Sequence, residues 1–241
     1  MKLSKNLSFS YKFILVLSTM VIAMISPLFA AENIGVPQDY QMIFQDAATP
    51  NMLDITWFHN LFLFPVMLAI ALFVTLLLIY VMFKFSAKKN PKPSKTSHNS
   101  LIEVLWTVIP VIILVAISIP SFRILYTQQA IPVDADLTVK ATGYQWYWGY
   151  EYPDNGAIYF DSLPLEEEEL TEGKIRLLSV DNPLVVPAGK VVRVQVTSSD
   201  VIHNWAVPSF GVKMDAIPGR LNETWFKVDK PGIYYGMCSE L

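Results

Sequence analysis

Beyond the N-terminal 31 residues, two stretches of this chain run without an acidic or basic side chain for as long as a lipid bilayer is thick, and that restricts the architecture more than any other feature. From Ile55 to Phe83, 29 consecutive residues lack Asp, Glu, Lys and Arg. A helix needs roughly 20 apolar residues to cross the hydrocarbon core. A second run covers the 19 residues from Val104 to Phe122, bracketed by Glu103 and Arg123. We assign transmembrane helices to residues 55–83 and 104–123, the second with an expected kink at Pro110, because proline removes a backbone donor.

Composition and charge give the orientation. The chain is 53% hydrophobic and 16% charged, against about 25% charged in soluble domains. The connection over residues 84–103 carries Lys84, Lys88, Lys89, Lys92 and Lys95, with no acid before Glu103. The positive-inside bias places it in the cytoplasm and both chain ends outside. Residues 1–31 hold Lys2, Lys5 and Lys12, then an uncharged run from Phe13 to Pro27, then Leu28-Phe29-Ala30-Ala31. That is the pattern of an export signal cleaved near Ala30 or Ala31. Leu28 and Phe29 fall where small residues are preferred, so an uncleaved third helix is the alternative. Residues 32–54 form an external segment.

Beyond Arg123 the pattern changes to short alternating runs, such as Leu137–Ala141 and Val192–Thr197. They read as half-buried strands, separated by turn signals such as Pro153-Asp154-Asn155-Gly156 and Pro231-Gly232. Residues 124–241 are therefore expected to form an all-β sandwich or small barrel outside the membrane. Residues 130–241 contain nine Lys/Arg against sixteen Asp/Glu, a net of −7. This acidic half argues against nucleic acid and favours a basic protein partner. Glu166–Glu169 reads as a solvated excursion.

The single cysteine, Cys238, excludes an intrachain disulfide; in an exported domain a lone thiol points to metal ligation or burial. His203 follows one predicted strand and Cys238 follows another, Gly232 to Met237. Imidazole and thiolate suit copper or zinc. His59 and His98 show no metal spacing.

The surroundings of these residues are more specific. Asp200-Val201-Ile202-His203-Asn204-Trp205-Ala206-Val207-Pro208, Gly211 to Asn222, the aromatic segment Gly143 to Asp154, and the ending Tyr234-Tyr235-Gly236-Met237-Cys238-Ser239-Glu240-Leu241 resemble subunit II of the haem-copper cytochrome c oxidases. The likeness runs from about Asn51 to Leu241 and includes the hairpin. It implies a cupredoxin-like domain holding a dinuclear copper centre, with His203 as nitrogen ligand, Cys238 as bridging thiolate and the Glu240 carbonyl as axial ligand. The Glu240 carboxylate would reach a magnesium ion shared with subunit I. The family's further Cys, His and Met would fall four, eight and eleven positions after Cys238, past Leu241. The sequence is therefore expected to be an incomplete copy of a longer product, and as written not to assemble the working centre.

The same resemblance implies Trp146 as the point where electrons arrive from cytochrome c, Tyr147 as an inward carrier, and Glu151, Asp154 and Asp161 as docking acids for cytochrome lysines. It also implies Glu103 at the mouth of a proton path. The expected assembly is an aa3-type oxidase in a bacterial inner membrane, with subunit I carrying haem and copper, and subunit III. A copper-free quinol oxidase subunit II, a membrane-tethered mononuclear copper carrier and a purely structural assembly subunit remain as alternatives.

Overall fold

A computed structural model describes residues 35–92 and 94–241; the expected export signal lies outside them. Helix α1 spans Pro50–Lys84. The Thr49 hydroxyl accepts the Met52 N–H at 3.1 Å, and Pro50 stands where a missing donor costs nothing. One widened π-helical stretch, Phe58–Leu63, interrupts it and carries His59, whose ring lies 4.5 Å from that of Phe44. Helix α2, Ser100–Gln129, is capped by Asn99, whose side-chain oxygen accepts the Ile102 N–H at 3.2 Å. It is continuous through Pro110 and Pro120.

At 1.5 Å per residue, the 35 and 30 residues of these helices reach roughly 52 and 45 Å, beyond the ~30 Å hydrocarbon core. The ends therefore stand in the headgroup layers. The most apolar window of each helix buries nothing among the described residues, which leaves those faces for a lipid environment. The two helices form a transmembrane hairpin.

The remainder is a β-sandwich. Strands β1 (Leu137–Tyr144), β2 (Tyr147–Tyr152), β3 (Ile158–Ser162), β4 (Val191–Ser198) and β7 (Asn222–Lys227) form one sheet in the order β3-β2-β1-β4-β7. Strands β5 (His203–Val207), β6 (Val212–Ala216) and β8 (Met237–Cys238) form the second, in the order β6-β5-β8. Alternation of apolar and polar residues along β1 and β4 sends Val139, Ala141, Val192, Val194 and Val196 inward. They meet Trp205, Val207, Val212 and Ala216 from the second sheet, with Phe226 between them at 1% exposure.

The strand expected over Gly232 to Met237 does not form; only Met237 and Cys238 pair with β5. Tyr234 turns the chain back instead, its hydroxyl donating to the Lys230 carbonyl and its ring lying 4.9 Å from Phe210. Cys238 thus lies within a short strand rather than after a longer one.

Sandwich and hairpin are joined at the turn Pro208–Phe210. The Ala48 N–H donates to the Ser209 carbonyl, the Thr49 hydroxyl to the Phe210 carbonyl and the Gln128 amide to the Gly211 carbonyl, at 2.8, 2.8 and 3.0 Å. Gly211 has φ +68°, and a side chain there would lie 2.9 Å from Ile55. Only glycine meets both demands.

Candidate metal centre and electron-receiving surface

His203 opens β5 and is 7% exposed. Its ring lies against Gly143 of β1, where an added Cβ would come within 2.7 Å of the imidazole. Trp148 approaches it edge-on at 6.0 Å. Asp200 Oδ1 is 2.7 Å from Nε2. Nδ1 makes no hydrogen bond among the described residues and is the nitrogen left for a metal.

Cys238 comes to the same place from the far end of the chain. β8 pairs antiparallel with β5, Cys238 opposite Trp205, and the Ser239 N–H extends the ladder to the Asn204 carbonyl at 3.1 Å. The same register carries Glu240 to the level of His203. His203 and the exposed Cys238 both line a cavity of about 790 Å³ walled by Tyr150, Trp205, Phe226 and Tyr234. A borderline imidazole and a soft thiolate on one cavity wall suit copper. Among the described residues no cluster of three or more His, Cys, Asp or Glu forms a metal site. Glu240 is exposed, and its carboxylate oxygens suit a hard cation.

Asp200, given no role in the sequence reading, is central here. Its Oδ2 accepts the Gln145 N–H at 2.8 Å and its Oδ1 the Val201 N–H at 2.6 Å. The His203 contact, aided by those N–H groups, holds its carboxyl down to about 2. The one available signal was an acid three residues before the histidine.

Gln145 and Trp146 form the turn between β1 and β2. Trp146 is 82% exposed. Tyr147 stacks on Tyr144, ring centres 4.7 Å apart and planes within 4°. Of the three acids expected at the docking surface, Asp154 lies exposed in the β2–β3 turn. Glu151 pairs with Lys140 at 3.4 Å, and Asp161 accepts the Tyr159 hydroxyl at 2.6 Å. That bond, followed by burial, holds the Tyr159 phenol above its ordinary value. Glu103 sits in the first turn of α2, where a negative charge favours the helix N-terminus. It is remote in sequence and fold from the β-domain residues.

A β-sandwich on a two-helix membrane anchor, with an imidazole and a thiolate sharing one sheet, defines a membrane-bound protein of the cupredoxin-like class. Residues 137–241 match the family model described as cytochrome c oxidase subunit II, periplasmic domain, and residues 37–124 match its transmembrane domain. A probable cytochrome c oxidase subunit 2 of Rickettsia bellii is 55% identical over 85% of this chain and 76% of that protein. The cytochrome c oxidase subunit 2 of Cereibacter sphaeroides is 47% identical over 87% of this chain and 74% of that protein. Among solved structures, the periplasmic domain of subunit II of cytochrome oxidase from Bradyrhizobium japonicum is 63% identical. It covers 46% of this chain and 76% of that one, with a TM-score of 0.42. The chain belongs to the cytochrome c oxidase subunit II family and is thus a subunit of an oxidoreductase complex.

Proposed function

We propose that this chain accepts single electrons from cytochrome c at Trp146 and relays them through the His203–Cys238 site to haem in subunit I. There oxygen is reduced to water with coupled proton translocation. The observation that carries this reading is the convergence of His203 and Cys238 on one cavity wall, with the exposed Trp146 on the turn hydrogen-bonded to the neighbour of His203.

The acidic sandwich attracts a basic cytochrome and raises its encounter rate. Asp154 offers a free carboxylate, while Glu151 and Asp161 exchange their internal partners for cytochrome lysines at small cost, since such exposed pairs contribute little. Trp146 presents its ring to the incoming haem edge, and the stacked Tyr144 and Tyr147 flank its turn in sequence. His203 Nδ1, the Cys238 thiolate and the Glu240 carbonyl would be the donors these residues offer to copper. When bound, the copper pair supplies a one-electron store whose geometry changes little on reduction. The Glu240 carboxylate would be this chain's ligand to a magnesium ion shared with subunit I, and Glu103 would stand where protons approach from the cytoplasm.

The lysine-rich connection keeps the hairpin oriented with the sandwich outside a bacterial inner membrane, behind the export signal of residues 1–31, with subunits I and III against the apolar helices. The quinol-oxidase alternative lacks use for His203, Cys238 and Trp146 together.

In the assembled oxidase, Trp146→Ala is expected to lower kcat/KM for cytochrome c by at least about a hundredfold, near 2.7 kcal/mol of transition-state stabilisation, with copper content unchanged. Full turnover in that variant would refute the proposed electron route.

A further inference from the structure

We infer that Asp200 is a positioning residue that clamps the turn bearing Trp146 to the imidazole of His203. The inference rests on the proposed roles of those two residues and assigns the group that holds them in mutual register.

Asp200 holds two partners that lie at the ends of different strands. Gln145 belongs to the β1–β2 turn and donates its backbone N–H to Oδ2 at 2.8 Å. His203 opens β5, and its Nε2 lies 2.7 Å from Oδ1. The loop carrying Asp200 is itself fixed, since Val201 N–H donates to Oδ1 at 2.6 Å and Ser199 N–H donates to the Gly143 carbonyl at 3.1 Å. A carboxylate serves both partners because it has two acceptor oxygens and no donor. An amide has one oxygen and would turn an NH2 group towards the other N–H.

Two consequences follow for the site. With the proton held on Nε2, His203 keeps its Nδ1 lone pair for a metal, the role of an outer-shell carboxylate on a ligating histidine. Trp146, being 82% exposed, gains little positional restraint from neighbours, so its place is set by the backbone turn. Asp200 ties that turn to the ligand ring through one peptide unit, two hydrogen bonds and a carboxylate. Such a constellation must be held within about 0.5 Å to work.

The test uses the assembled, copper-loaded oxidase with Asp200→Ala and Asp200→Asn. In Asp200→Ala, amide exchange at Gln145 and Trp146 is expected to rise about tenfold or more, because the turn opens locally without the clamp. The copper spectrum should shift as His203 reorients, and kcat should fall. Asp200→Asn, which keeps the volume and so the fold, has an acceptor for only one of the two partners, so it should either shift the spectrum, if the NH2 faces Nε2, or raise exchange at Gln145, if the NH2 faces that N–H. Unchanged exchange and an unchanged spectrum in both variants, with KM raised instead, would overturn the clamp and leave Asp200 as a surface charge. Trp146→Phe separates this from the proposed route. If that variant keeps full turnover while Asp200→Ala still loosens the turn and shifts the spectrum, the route fails and the clamp stands.

Discussion

Tyr150 shows how a polar group is kept inside the sandwich. Its hydroxyl accepts the Trp205 indole N–H at 3.1 Å, and burial pushes its phenol up to about 12 while that N–H pulls the other way. A raised value means that the folded state prefers the neutral phenol. Its contribution is complete below the ordinary tyrosine value of about 10 and is lost as pH rises towards 12, on the order of 3 kcal/mol in all. Alkaline difference absorbance is therefore expected to show Tyr150 ionising only as the domain unfolds; a reversible titration near 10 in the folded protein would contradict this. Gly143 supports the histidine in an equally specific way. Gly143→Ala would place a methyl 2.7 Å from the imidazole and should displace His203, so that copper binding weakens at least tenfold while far-UV dichroism stays native. Among the residues of the site, His203 and Cys238 were legible because imidazole and thiolate are rare and chemically pointed. Asp200 and Gly143 were not, since an acid in a turn and a glycine in a strand are ordinary loop and strand residues until a distance gives them a partner.

At the level of elements, apolar period decided what could be read. The two helices show themselves by uninterrupted charge-free length and the strands β1 and β4 by two-residue alternation, and the structure places elements there. β8 carries no such repeat in two residues; its pairing depends on β5, far away in sequence, and no local pattern contains it. The segment before it holds Tyr234 and Tyr235, which read as strand by β-propensity, yet Tyr234 is used to close a turn against Phe210, an instance of tertiary contact overriding propensity. β7 bears the most consequential core residue. The ring of Phe226 lies 4.7 Å from Phe210 and 6.3 Å from Trp205, bridging both sheets. Phe226→Ala is expected to destabilise the sandwich by about 3–5 kcal/mol, measured by denaturant unfolding of the chain in detergent. A loss under about 1 kcal/mol would mean that the two sheets are held by something other than this contact.

Across the whole molecule, the arrangement serves distance and orientation. The hairpin carries charge-free helices through the bilayer, and Thr49, Gln128 and Gly211 fix the sandwich on its outer end through backbone carbonyls of one turn. That turn immediately follows β5, the strand that His203 opens, so the contacts to the membrane anchor and the proposed metal ligand share a short length of chain. In the proposed function, the acidic balance of the sandwich suits a soluble basic partner and the apolar hairpin suits lipid and other helices. The central claim is that this framework holds a dinuclear copper site through His203 and Cys238. The most direct measurement is copper content and electron paramagnetic resonance of the protein expressed from its gene to its own stop codon, beside Cys238→Ser. The expected result is a dinuclear stoichiometry with one unpaired electron shared over both ions, abolished in Cys238→Ser. A copper-free protein, or a mononuclear copper signal that survives the loss of Cys238, would contradict it.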